Sequence, residues 1–479
     1  MKQTDWKIIY TDYSGITKRA INFLFKELSA YVLREAGVYK PYTMPCEKEG
    51  ATLFKNNVFI SLYNKSKTIQ SLVKEEEVPK KGYFVKVMKN PNDESGSYII
   101  LTAHEEAQLY YAAASLFDDY IPKYAPKYYS FLMPDNTFNH PLLEASYSNE
   151  PDNETRSIFT WGHSTNDYRL YIENMARLRL NEVVIWNEYI PLNMPDLIEY
   201  AHQFGIRVIL GYSWGWREVG NQTNEITEKN IQDTKELAIS RYINEYKDVG
   251  ADGIYFQTFT EREEEMVGGK LISEIVTDMV NEISEKLWEI TPNLRIIFGL
   301  HATSVKNHLD KIANLHKDIE ILWEDCGEFP YDYYPFMRFD AFKETLEFTD
   351  KLLKLRGGAK VGLVFKGVMM LNWGNFAHQQ GPYLIGENHP KVAKHDRQVR
   401  ANAWRELSSQ WLKNGNYVLE TLKFIKKNKL GAINMCLAGT LDGGIYLPVA
   451  LCAEMFYNCD DEFGNLVKRV STRDCIAYD

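Results

Sequence analysis

The chain has 479 residues, 45% hydrophobic and 25% charged, enough to bury a large core in up to about three domains. Its 55 Lys and Arg against 65 Asp and Glu give a formal charge of −10 with no block of like charge, which argues against nucleic acid as a partner. Six cysteines (Cys46, Cys326, Cys436, Cys452, Cys459 and Cys475) make no C-x-x-C pair and no zinc-type spacing, and are expected as small buried thiols. The amino terminus carries Asp5, Trp6 and Lys7 without an apolar leader core. The least charged stretch, Gly431 to Phe456, is broken by Asp442-Gly443-Gly444 before it reaches membrane-spanning length. The expectation is a cytoplasmic chain with no membrane partner, or a periplasmic or secreted one if a leader has been removed.

Residues 1–120 read as a small α/β domain. Trp6–Thr11 is a strand, and Ile16–Ala36 a helix with Ile21, Leu24, Phe25, Leu28 and Val32 at helical spacing. Val58–Tyr63, Tyr83–Met88 and Tyr98–Thr102 follow as strands, the last two joined by Asn90-Pro91-Asn92-Asp93 and Gly96. His104–Tyr120 is a helix, so the order is β-α-β-β-β-α. Residues 121–155 hold five prolines (Pro122, Pro126, Pro134, Pro141 and Pro151) and no periodicity, and read as a linker.

From residue 156 to 479, short apolar runs alternate with amphipathic stretches. The strands are Ser157–His163, Glu182–Tyr189, Arg207–Ser213, Gly253–Phe259, Arg295–His301, Ile319–Trp323, Val361–Lys366 and Ala432–Leu437. The intervening helices are Asn166–Leu180, Met194–Phe204, Ile231–Val249, Leu271–Ile290, Ser304–Leu315, Asp340–Leu355 and Asp396–Lys413, with further helix to Lys429. Eight such alternations predict a (β/α)8 TIM barrel with a C-terminal helical extension, preceded by the small α/β domain. A doubly wound open sheet is the alternative, but no G-x-G-x-x-G follows the first strand.

In a barrel of this kind the chemistry sits at the carboxyl ends of the strands. Those ends carry Trp161 and His163; Trp186, Asn187 and Glu188; Trp214; Gln257 and Glu261; His301; Trp323, Glu324 and Asp325; Lys366, then Asn372 and Trp373; and Asp442. Indole faces suit the C–H faces of a sugar ring, and Asn, Gln, His and carboxylates suit its hydroxyls, so a carbohydrate substrate is expected. Cleaving a glycosidic bond needs two carboxylates. Glu261 is the candidate acid, in a partly desolvated rim. The Glu324-Asp325 pair supplies the base or nucleophile, with Asp325 favoured and Glu324 assisting, or the reverse. Lys366 would hold a substrate carboxylate, tune a catalytic acid, or pair with Glu324 or Asp325. No cofactor is implied, and His163 and His301 are read as hydroxyl ligands rather than metal ligands. The alternatives are a carbohydrate-binding barrel without catalysis and a barrel hydrolase of another bond; the sequence shows no cluster of metal-ligand spacing to favour the latter.

The run Gly82-Tyr83-Phe84-Val85-Lys86-Val87, then Ser97-Tyr98-Ile99-Ile100-Leu101, then the helix from His104 with Tyr110-Tyr111-Ala112, is similar to the strand–strand–helix that precedes the barrel in certain glycoside hydrolases. With the barrel, the chain resembles the group that includes the β-N-acetylhexosaminidases, the O-GlcNAcases and the family 67 α-glucuronidases. The resemblance implies glycoside hydrolysis. Substrate-assisted hexosaminidases carry an Asp-Glu or Asp-Asp pair at strand 4, where this chain has Thr258-Phe259-Thr260-Glu261. The α-glucuronidases place an acid at strand 4 and carboxylates at strands 6 and 7. Glu261 and Asp325 match the first two places, and Lys366 stands at the third. The α-glucuronidase group is the nearer, and a uronate substrate would suit Lys366.

Overall fold

The computed structural model describes residues 2–32, 42–124, 138, 142–160, 164–186, 189–216, 218, 225–324, 339–356, 360–365, 382–432 and 434–477. Two compact units emerge. One comprises 1–151 with 203–205 and 468–476, and the other 152–202 with 206–467 and 477–479.

The first unit is built on a six-stranded sheet of β1 (Trp6–Tyr10), β2 (Cys46–Lys48), β3 (Asn56–Leu62), β4 (Tyr83–Asn90), β5 (Asp93–Ala103) and β6 (Ala145–Asn149), in the order β2-β1-β3-β5-β4-β6. The β1, β2, β3 and β5 pairings are parallel, and β4 runs antiparallel to both β5 and β6. Residues alternate between the faces. Ile9, Phe59, Phe84, Tyr98 and Ile100 form one apolar layer with Tyr63, Ile69, Val73 and Val78. Helices α1 (Gly15–Val32) and α2 (Glu106–Ser115) bury Ala20, Ile21, Leu24 and Leu28, and Leu109, Ala112 and Ala113. Strand β6 falls inside the proline-rich stretch, where its alternation of half-buried and exposed residues marks a sheet edge.

The second unit is a closed barrel of eight parallel strands: β7 (Thr155–Phe159), β8 (Glu182–Trp186), β9 (Arg207–Ser213), β10 (Gly253–Gln257), β11 (Ile296–Leu300), β12 (Glu320–Trp323), β13 (Val361–Phe365) and β14 (Asn434–Ala438). Pairing runs in sequence order and closes from β14 to β7. This is the predicted TIM barrel. The helices around it include α3 (Tyr168–Arg177), α4 (Met194–His202), α5 (Glu228–Arg241), α6 (Ile272–Ile290), α7 (Phe339–Lys354), α8 (Pro390–Asn414), α9 (Asn416–Lys427) and α10 (Leu447–Tyr457). The helix expected over Ser304–Leu315 shrinks to one turn, Leu309–Ile312. Ser304 directs both its N–H and its hydroxyl to the Thr260 carbonyl, at 3.1 and 2.9 Å, instead of opening a helix.

Every strand contributes one side chain to the central layer of the barrel: Phe159, Val184, Ile209, Tyr255, Ile297, Leu322, Val364 and Cys436. Below it, at the amino ends, lies a charged plug. Glu182 is fully buried and accepts from Arg207 Nε at 2.9 Å, from Asn434 Nδ2 at 3.0 Å and from Arg295. Arg295 also pairs with Glu320 at 2.7 Å. Burial pushes the Glu182 carboxyl up, but Arg295 and Arg207 outweigh it and hold it below the ordinary glutamate value. Above the central layer lies the mouth.

Candidate functional site

The central layer fixes which residues can enter the mouth, because inward side chains recur every second residue. Counting by two from that layer places Trp186 on β8, Ser213 on β9, Gln257 on β10, Gly299 and His301 on and after β11, and Glu324 after β12 on the inner side. Contacts agree with the count. Trp186 packs against the central layer, edge-on to Tyr255 with ring centroids 5.7 Å apart.

Glu324 is fully buried. Its Oε1 accepts a hydrogen bond from Gln257 Nε2 at 2.8 Å, and its Oε2 lies 3.7 Å from Nε2 of the buried His301. Gln257 Nε2 also donates to the Tyr255 hydroxyl at 3.1 Å. Strands β10 and β12 are not neighbours, since β11 lies between them. Gln257 and Glu324 meet because the residue paired with Gln257 on β11 is Gly299. A Cβ there would fall 1.8 Å from the Tyr255 hydroxyl and 2.8 Å from Glu324 Oε1. Glycine is required at this position by close approach, not by backbone angle.

Glu261 lies at the opposite edge of the same patch. It is exposed, and its Oε2 accepts from the indole N–H of Trp216 at 2.8 Å. Trp216 meets Trp186 edge to face, with centroids 6.0 Å apart. An unbroken series of contacts thus runs Glu261, Trp216, Trp186, Tyr255, Gln257, Glu324. It sets a carboxylate at each end of a wall of two indoles. Beside it, Ser213 Oγ and the Gly215 N–H both donate to Glu218, at 2.5 and 3.1 Å.

Several expectations are corrected. Trp214 lies one residue out of phase with Ser213 and faces the helices. It is fully buried, stacked on Phe256 with centroids 3.8 Å apart. Trp323 is likewise out of phase with Glu324 and packs on Phe348 of α7 at 4.8 Å. Neither indole lines the mouth. Asp442 is also spoken for. It is buried, with Arg400 Nη1 at 2.9 and 3.0 Å, the Asn166 N–H at 2.6 Å and Thr440 Oγ1 at 2.6 Å. Its carboxylate ties the turn after β14 to α8. Glu261 is exposed, not partly desolvated as expected.

Trp161, His163, Asn187, Glu188, Asp325, Lys366, Asn372 and Trp373 lie outside the described residues. The structure adds Tyr255, Gly299 and Trp216. The signal for Gly299 was legible as a glycine within the apolar strand Ile-Ile-Phe-Gly-Leu.

Among the described residues, Asp152, Cys459 and Asp460 come close enough to share a cation. Lys426 Nζ already sits 2.7 Å from both carboxylates, supplying the positive charge itself. Burial, then Asp152, pushes the Cys459 thiol up to about 12, which disfavours the thiolate that metal binding needs. Of the other cysteines, Cys436 and Cys452 are buried and Cys46 and Cys475 partly so. Among the described residues no helix is long and apolar enough to cross a membrane.

No family model and no curated protein matches the sequence. Among solved structures, CpGH84D is similar in chain path at 14% sequence identity and a TM-score of 0.45, over 76% of this chain and 57% of that one. The chain therefore spans a little over half the length of that structure.

Proposed function

We propose that the protein is a glycoside hydrolase acting on oligosaccharides or terminal glycosyl units. The observation that carries this reading is Glu324, a fully buried carboxylate at the carboxyl end of the barrel, held by Gln257 and flanked by His301. A carboxylate taken out of water is costly. Its presence at the end of the barrel where chemistry resides is the mark of a working group rather than of a stabilising one. Glu261 is the general acid of the proposal, delivering a proton to the departing oxygen. The Glu324-Asp325 pair supplies the base or nucleophile, and the burial and anchoring of Glu324 favour it over its neighbour. Trp186 and Trp216 stack on sugar rings between the two, and Gln257 and His301 bind hydroxyls. Trp161, His163, Asn187, Glu188, Asn372 and Trp373 complete the binding wall, and Lys366 favours a uronate.

A panel of chromogenic glycosides that includes glucuronides, N-acetylglucosaminides and neutral hexosides tests the reading. Turnover of at least one member that is lost in both Glu261→Gln and Glu324→Gln supports it. Binding of oligosaccharides by the wild type with no turnover of any member makes the protein a carbohydrate-binding barrel instead.

A further inference from the structure

We propose that Tyr255 is a positioning residue that acts through Gln257 to fix the Glu324 carboxylate, and that Gly299 is the slot that permits it. The kinetic part of this inference rests on the hydrolase reading above; the structural part does not.

The hydrogens can be counted. A glutamine carboxamide has two N–H protons and one acceptor oxygen. Gln257 directs Nε2 at both Glu324 Oε1 and the Tyr255 hydroxyl, at 2.8 and 3.1 Å, so both protons are committed. That fixes which way round the amide sits. Turning it over would bring Oε1 against the Glu324 carboxylate and forfeit that bond, since a carboxylate oxygen cannot donate to it. Gln257 Oε1 consequently points elsewhere, fully buried, with no hydrogen-bond partner among the described residues.

The Tyr255 ring is in turn immobilised. It lies edge-on to Phe159, with centroids 5.0 Å apart, and to Trp186. Its hydroxyl reaches the amide only because it passes over Gly299. Aromatic packing in the central layer thereby sets the position of a polar group in the mouth, two residues further along the same strand.

The test uses the full-length chain carrying 15N in its glutamine side chains, with the Gln257 amide signals assigned by their loss in Gln257→Leu. In the wild type these protons are expected to exchange with solvent more slowly than those of exposed glutamines. Tyr255→Phe keeps the ring and removes only the hydroxyl, so melting should change little while Gln257 exchange speeds up about tenfold, the scale of one hydrogen bond. Glu324→Leu removes the other anchor and should accelerate exchange similarly. On any glycoside that the wild type cleaves, Tyr255→Phe should lower kcat about tenfold with KM unchanged. Unchanged Gln257 exchange in Tyr255→Phe overturns the proposal, as does an unchanged kcat. If the wild type cleaves nothing in the panel, the hydrolase reading fails and the exchange measurement alone decides whether Tyr255 positions the carboxylate.

Discussion

Trp216 donates its indole N–H to Glu261 at 2.8 Å and packs edge to face on Trp186, so an exposed carboxylate is tethered to the aromatic wall of the mouth. A freely rotating glutamate would spend most of its time away from a bound sugar; this one has an address. Glu261→Gln is expected to lower turnover by about 10² to 10⁴-fold, the usual contribution of general acid catalysis. Trp216→Phe keeps an aromatic ring, though a smaller one, and removes the donor, so it should lose less, about tenfold. Steady-state kinetics on the best glycoside, with melting temperatures as a control for folding, checks both. Equal turnover in Glu261→Gln and wild type removes Glu261 from the mechanism.

Glu324 is expected to trade stability for chemistry. Glu324→Gln removes a buried charge and keeps an oxygen that can accept from Gln257, so calorimetry should find the melting temperature unchanged or raised. Turnover should fall by about 10³-fold or more if the group is base or nucleophile. A variant that melts earlier yet turns over normally would make Glu324 a structural residue.

The barrel was legible in the chain because parallel strands covered on both faces read as continuous apolar runs, and eight of them alternate with amphipathic helices. The same continuity hid the site. An unbroken run such as Arg-Val-Ile-Leu-Gly-Tyr-Ser gives no polar–apolar alternation to say which side chains point inward, so Trp214 and Trp323 looked equivalent to Trp186. Phase is fixed only by three-dimensional packing, where Ile209 and Leu322 enter the central layer and set Trp214 and Trp323 outward. Asp442 misled for a different reason. Its turn position is right for a ligand, but Arg400, which claims it, lies on a helix 42 residues earlier in sequence, a separation no local pattern reveals.

Gly299 makes a sharper prediction than any of the polar residues. Gly299→Ala puts a methyl group where the Tyr255 hydroxyl lies, at 1.8 Å, so strand or ring must shift. Overpacking of this kind costs about 1–3 kcal/mol. Denaturant unfolding should show that loss, and turnover should drop further than stability alone explains, because Gln257 and Glu324 meet across this residue. Alanine tolerated without loss of stability would mean that the close approach is not maintained in solution.

Arg400 and Asp442 should behave as a structural pair. Both are buried, and Arg400 also donates to the Ser164 carbonyl. Asp442→Asn leaves the guanidinium without its counter-charge and is expected to cost about 3–5 kcal/mol. Any change in KM should be no larger than in a comparably destabilised core variant. A selective rise in KM at unchanged stability would instead return Asp442 to the sugar-binding residues.

The charged plug predicts how the barrel responds to acid. Glu182 is held below the ordinary glutamate value of 4.5, chiefly against its own burial, by Arg295 and Arg207. A carboxyl depressed on folding contributes stability that is fully present above its unfolded value and is lost as pH falls through its folded one. The wild-type melting temperature should therefore hold from neutrality down to about pH 4.5 as far as this group is concerned and decline below it. Glu182→Gln removes that term and leaves two arginines facing a neutral amide. It should melt earlier at pH 7, and the gap to wild type should close progressively as pH drops below 4.5. Melting curves of both proteins between pH 7 and 3 measure this directly. A gap that stays constant over the range would show that the arginine pairing of Glu182 is not what stabilises the amino end of the barrel.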